Sequence, residues 1–153
     1  MKNFGKLSVC IIFCELVGLL STPFTIASIP IWYAGLIKPP FSPPNWLFGP
    51  VWMILYCFMG IAAYLVWKNG LKNKKVKTAL RYFLIQLFLN FIWSPLFFGL
   101  HLPLIALLDI CILLVMIVIT MKQFRGISKI AFYLFIPYLL WVSFATLLNL
   151  SII

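Results

Sequence analysis

Five long apolar runs divide this chain of 153 residues, and they restrict its fold more than any other feature. They are Leu7–Ser28, Trp46–Trp67, Ala79–Gly99, Pro103–Met121 and Ile130–Ile153. About 20 apolar residues, rising 1.5 Å each as a helix, cross the roughly 30 Å hydrocarbon core of a bilayer. That core offers no water to backbone N–H and C=O groups, so each run must satisfy its own as a helix. The sequence predicts an all-α, polytopic membrane protein, a five-transmembrane-helix bundle forming one domain over residues 1–153. Composition agrees: 65% of residues are hydrophobic and 9% charged, where a soluble domain has about a quarter charged. The first run is too long for a signal-peptide core, carries Glu15 and has no small-residue cleavage pattern after it, so it reads as a true span. Thr78, Pro103 and Ser128 read as start signals for the third, fourth and fifth helices.

Charge sets the orientation. Lys2, Lys6, Lys68, Lys72, Lys74, Lys75, Lys77, Arg81, Lys122, Arg125 and Lys129 all fall on one side, and of the 12 basic residues only Lys38 is left for the other. The positive-inside rule then puts the N-terminus in the cytoplasm and the C-terminus outside. The net charge of +10 is accounted for by topology, and no nucleic-acid partner is implied. The run Lys72–Lys77 reads first as a topology anchor, with contact to anionic lipid as a second role. Cys10, Cys14, Cys57 and Cys111 lie in apolar runs and read as packing residues. With a single His in the chain, no metal site is expected.

Between the first two runs lies Trp32–Trp52, WYAGLIKPPFSPPNWLFGPVW, which holds five of the 10 prolines and three of the 6 tryptophans. Proline fixes φ and pushes the residue before it towards extended conformations. The Pro-Pro-x-x-Pro-Pro run therefore predicts a stiff lid over the bundle interior, with Gly35 and Gly49 as flanking hinges. Pro23 is expected to bend or end the first helix near the outer surface.

Polar and aromatic residues recur on single helix faces within the spans. Trp52, Tyr56, Gly60 and Ala63 share a face of the second, and Gln86, Asn90, Trp93 and Phe97 a face of the third. Ser94-Pro95 predicts a kink there. Asn90 can serve as inter-helix glue or as a pocket residue, and Trp93 beside it favours a pocket. In the fifth span Pro137, Trp141, Ala145 and Leu148 line up, and small Ala145 either packs closely or leaves room beside the indole. Glu15 reads as glue or as a proton-coupled transport site. Asp109 reads as a hydrogen-bonding group to a neighbouring helix or to the lid, and His101 as a solvated turn residue.

Three segments together, WYAGLIKPPFSPPNWLFGPVW, LNFIWSPLFFG and PYLLWVSFATLLN, resemble the translocator protein family (TspO/MBR, tryptophan-rich sensory protein). The resemblance covers nearly the whole chain. It implies a five-helix bundle whose cavity opens near the loop between the first two spans. It also implies binding of porphyrins and of benzodiazepine-site ligands, with tetrapyrrole transport, stress sensing or light-dependent porphyrin breakdown as the output. Carried onto this chain, it implies a pocket lined by Tyr33, Trp52, Asn90, Trp93, Trp141, Ala145 and Leu148. The lid would be Lys38, Pro39, Pro40, Pro43 and Pro44, with Lys38 either pairing with a tetrapyrrole propionate or solvated.

No hydrolytic triad, phosphate cradle or axial haem ligand is legible, so any chemistry must come from a light-absorbing ligand. Protoporphyrin IX would be that ligand or substrate, held without a covalent bond. Trp52 and Trp141, electron-rich indoles inside the spans, are the candidate catalytic residues. The chain stops at Leu150-Ser151-Ile152-Ile153, without the Tyr and Lys or Arg of the eukaryotic sterol motif, so sterol binding through that motif is not expected. A bacterial plasma-membrane location is expected. A homodimer is left open, since the third span has no small-xxx-small stripe. Glu15 lies outside the family pattern, which keeps a proton-coupled small-molecule exporter as an alternative, beside a purely regulatory ligand sensor.

Overall fold

In the computed structural model, which describes residues 2–152 apart from Ile37 and Pro39, each apolar run is helical. Helix α1 spans Lys2–Ser28 and continues through one widened, π-helical turn at Ile29–Tyr33. Helix α2 spans Asn45–Trp67, and α3 spans Lys74–Ser94 with a second widened turn at Pro95–Gly99. Helix α4 spans Pro103–Arg125. The fifth span comes in two pieces, α5 at Lys129–Leu134 and α6 at Ile136–Ile152. Five helical stretches are long and apolar enough to cross a membrane, and no strand occurs among the described residues. Packing closes them into a ring in the order first, second, fifth, fourth, third.

The prolines explain where the helices change gauge. Pro30 and Pro95 lack the N–H that an i→i−4 bond needs, and each sits in a widened turn that absorbs the loss. The kink expected at Ser94-Pro95 takes this form. Pro137 follows the break at Phe135 between α5 and α6. Pro23 behaves otherwise than expected: α1 runs through it and stays helical to Tyr33. Just before it, Ser21 and Thr22 each donate a hydroxyl hydrogen bond of 2.9 Å to the Gly18 carbonyl. Side chains of this kind support a proline-bearing helix in lipid.

Ser128 caps α5, its Oγ accepting from the Ala131 N–H at 3.2 Å, and Pro103 opens α4, both as the sequence indicates. The third helix starts a turn earlier than Thr78. Asn73 is its cap, accepting from the Lys75 N–H at 2.9 Å, and asparagine outranks threonine at that position.

The Pro/Trp-rich stretch is also shorter as a loop than its composition indicates. Trp32 and Tyr33 belong to the widened turn of α1, and α2 begins directly after Pro44. Gly49 therefore lies inside α2 and is no hinge, because nothing between Asn45 and Gly49 blocks a helix. Pro39 of the lid and Ile153 of the last span lie outside the described residues.

Glycine permits the tightest crossing. A Cβ on Gly60 would lie 2.6 Å from the Ile11 Cα, so α1 and α2 meet backbone to backbone there. Towards the lysine-bearing end the core is aromatic: Phe83 stacks on Phe124 at 6.0 Å, and Phe135 sets its edge against Phe124 at 5.3 Å.

Candidate ligand site

Two helix faces build an aromatic cluster in the half of the bundle nearer the lid. Helix α2 presents Phe48, Trp52 and Tyr56 at four-residue spacing, and α6 presents Tyr138 and Trp141. The Trp52 ring stands edge-on to Trp141 at 6.4 Å and to Tyr138 at 6.4 Å, and lies 5.7 Å from Tyr56. Phe48 bridges this group to the end of the first span, 6.2 Å from Trp141 and 6.1 Å from Tyr33. Tyr33 is almost wholly buried and packs on Phe97 and Phe98 of the third span. Trp93 stacks on Phe97 at 4.9 Å. Its Nε1–H donates to Asn149 Oδ1 at 3.1 Å, and Asn149 Nδ2 donates to the Pro103 carbonyl at 2.9 Å. Ala145 and Leu148 are buried along the Trp141 side of α6. Tyr33, Trp52 and Trp141 thus meet in one cluster, and Trp93 adjoins it through Phe97.

A cavity of about 420 Å³ opens between α2 and α6 against this cluster. Val51, Ile54, Leu55 and Phe58 form one wall, and Pro137, Leu140, Trp141 and Phe144 the other. Ile54 and Leu140 are largely exposed, so the cavity is a trough facing the lipid side of the bundle. The Trp141 Nε1–H is buried without a hydrogen-bond partner among the described residues. An unmatched buried donor costs about 1–3 kcal/mol.

Beneath the cluster runs a polar chain. The Tyr56 hydroxyl donates to Asn90 Oδ1 at 2.5 Å, and Asn90 Nδ2 donates to the Tyr138 hydroxyl at 2.8 Å. The Tyr138 hydroxyl donates to Gln86 Oε1 at 2.7 Å, and Gln86 Nε2 reaches the Met59 sulfur at 3.9 Å. All five residues are buried. Both ends of the Asn90 amide are engaged in joining three spans, which is the glue reading of that residue.

Lys38 and Phe41 help to hold the lid. The Lys38 ammonium donates to the Tyr33 carbonyl at 2.9 Å and sits 4.8 Å from the Tyr33 ring centroid. Phe41 sets its ring against Phe144 at 5.8 Å, on the rim of the trough. His101 is held as well as exposed: its backbone takes φ 55° and its imidazole stacks flat on Trp32 at 4.5 Å.

Asp109 differs from expectation. It is buried, but its Oδ2 has no hydrogen-bond partner among the described residues, so it does not tie α4 to a neighbour through that oxygen. Glu15 is half-buried on α1. No group of three or more metal-ligating side chains occurs among the described residues.

Sequence reasoning missed Phe48, Phe144 and above all Tyr138. The inward stripe of the fifth span begins at Tyr138, which is buried, and not at Pro137, which is exposed. The spacing 3, 4, 3 through Trp141, Ala145 and Leu148 was the available signal.

Comparison with known proteins identifies this arrangement. The TspO/MBR family model matches residues 10–153. The chain belongs to the TspO/MBR family. Its relatives there include the tryptophan-rich protein TspO of Chlorobaculum tepidum, 45% identical over 152 residues that cover 99% of this chain and 96% of that protein. The tryptophan-rich protein TspO of Archaeoglobus fulgidus is 45% identical over 151 residues, covering 98% of this chain and 96% of its own. The human translocator protein is 42% identical over 119 residues, covering 77% of this chain and 70% of its own. Membership of the TspO/MBR family and five apolar helices together make the chain a multi-pass membrane protein.

Proposed function

We propose that this membrane protein binds flat, apolar tetrapyrroles of the porphyrin class at the Trp52–Trp141 cluster, and with them neutral ligands of benzodiazepine-site type. The observation that carries the reading is the trough between α2 and α6. Its volume of about 420 Å³ falls within the roughly 300–1,000 Å³ of small-molecule sites. Its walls are apolar and aromatic. Lys38 keeps ammonium hydrogens beyond the one it gives to Tyr33, and a propionate at the lid would find them there.

Porphyrin is ligand or substrate in this reading, not a resident cofactor. Transport, sensing and light-driven breakdown share the same binding step. For breakdown, the ligand supplies the excited state, and the indoles of Trp52 and Trp141 are the oxidisable groups placed against it. The lysine-bearing end of the bundle lies in the cytoplasm of a bacterial cell and the C-terminus outside it.

The test is a spectral titration of the purified protein with protoporphyrin IX, first in darkness and then under light. A saturable change in the porphyrin absorption band in the dark is expected, followed by protein-dependent bleaching in the light. Absence of any dark titration would overturn the binding reading, and dark binding without bleaching would leave a carrier or sensor.

A further inference from the structure

At the lysine-bearing end, α1, α2 and α3 leave a second, narrower cavity of about 160 Å³. Cys14, Ala63 and Phe83 form its buried floor. Val9 and Phe13 of α1 and Leu84 of α3 form a largely exposed rim, and Trp67 of α2 also lines it. The volume is well below the roughly 300–1,000 Å³ of sites for drug-sized molecules, so the shape admits a hydrocarbon chain and not a fused ring system.

The mouth has the opposite character. Lys6 lies about one turn before the lining residues Val9 and Cys10 on α1. Its ammonium sits 5.1 Å from the centroid of the Trp67 ring. On α3, exposed Lys77 and Arg81 each precede a lining leucine, Leu80 and Leu84, by one turn on the same face. The chain has only 2 acidic residues, Glu15 and Asp109, both within spans, so no carboxylate of its own stands at this mouth. Three cations thus head an apolar slot that faces lipid.

We propose that this slot seats one anionic phospholipid. An acyl chain lies along Val9, Phe13, Leu80 and Leu84, and the phosphate meets Lys6, Lys77 and Arg81. From Lys6 to Phe13 the slot runs about 10 Å along α1 at 1.5 Å per residue, which holds the part of the chain nearest the headgroup. The seat adds specific packing to the general pull of basic residues on anionic membranes, and it is independent of the ligand cluster at the other end.

The experiment is native mass spectrometry of the full chain in detergent, titrated with dioleoyl phosphatidylglycerol or with dioleoyl phosphatidylcholine. One phosphatidylglycerol should bind about tenfold more tightly than phosphatidylcholine. Lys6→Gln with Arg81→Gln should abolish that preference. Lys72→Gln with Lys75→Gln removes the same charge away from the slot and should preserve it. Equal losses in the two pairs would overturn the seat in favour of diffuse attraction. Ala63→Leu fills the floor, and undiminished phosphatidylglycerol binding in that variant would overturn the chain-binding half. Should it fail to fold, the surface charge pairs still decide. Glycerol 3-phosphate should not compete, and competition would reduce the site to one for free phosphate. Lipid-free dimers that Phe13→Ala separates would give the slot to a second copy of the chain and also overturn the proposal.

Discussion

Asn90 shows how one side chain can serve a site that it need not line. Its amide holds the hydroxyls of Tyr56 and Tyr138 at 2.5 and 2.8 Å, and both phenol rings tile Trp52. Asn90→Leu takes the acceptor from the buried Tyr56 hydroxyl and a donor from the Tyr138 hydroxyl, which keeps its bond to Gln86. Membrane hydrogen bonds average about 0.6 kcal/mol each, while unmet buried groups cost about 1–3 kcal/mol, so a loss of about 1–3 kcal/mol is expected, read by unfolding in mixed micelles. The sequence showed that Asn90, Gln86 and Trp93 share a face, since helical spacing alone determines that. It did not show that both ends of the amide are taken, because the partners Tyr56 and Tyr138 come from helices far apart in the chain. The tryptophans carry a second prediction. Trp52→Phe and Trp141→Phe preserve aromatic area but remove the electron-rich indole, so porphyrin affinity should stay within about threefold while light-driven bleaching falls away. Bleaching at the wild-type rate in the double variant would leave a binding protein without photochemistry.

Among the elements, the crossing of α1 and α2 is the most exacting. A Cβ on Gly60 meets backbone, 2.6 Å from the Ile11 Cα and 2.9 Å from its nitrogen, and backbone cannot rotate aside. Gly60→Ala should therefore part the helices and cost about 1–3 kcal/mol, as overpacking does. Gly49 has nothing within 4 Å of a built Cβ and lies inside α2. Gly49→Ala should stabilise by about 0.5–1 kcal/mol from helix propensity, and lost ligand binding in that variant would restore a hinge role. The lid gives a sharper contrast. Lys38→Ala removes the brace to the Tyr33 carbonyl and also the one cation at that end of the bundle. It should weaken a porphyrin dianion more than a neutral ligand, and equal weakening would leave Lys38 as a brace alone. The apolar runs, the Ser128 cap and the turn at Pro103 were readable because local sequence dictates them. The widened turns at Pro30 and Pro95 were not, because proline demands a lost bond but does not say whether the helix stops, bends or widens.

For the whole molecule, the asymmetry of charge makes a direct forecast. A reporter enzyme fused after Ile153 should act only outside the cytoplasm, and activity inside would invert the bundle or remove a span. The neighbour order was beyond the sequence, since periodicity fixes which face of a helix is buried and not which helix it meets. That order has a consequence for how the protein is made. The fifth span lies between the second and the fourth, and it alone supplies Tyr138, which joins Asn90 to Gln86. Until the fifth span leaves the ribosome, the half-built bundle holds an unpaired carbonyl oxygen on Gln86 and an open seam beside Trp52. Nascent chains halted before Lys129 would thus expose polar groups to lipid that the finished protein hides. The fifth span is thus the keystone that closes the bundle.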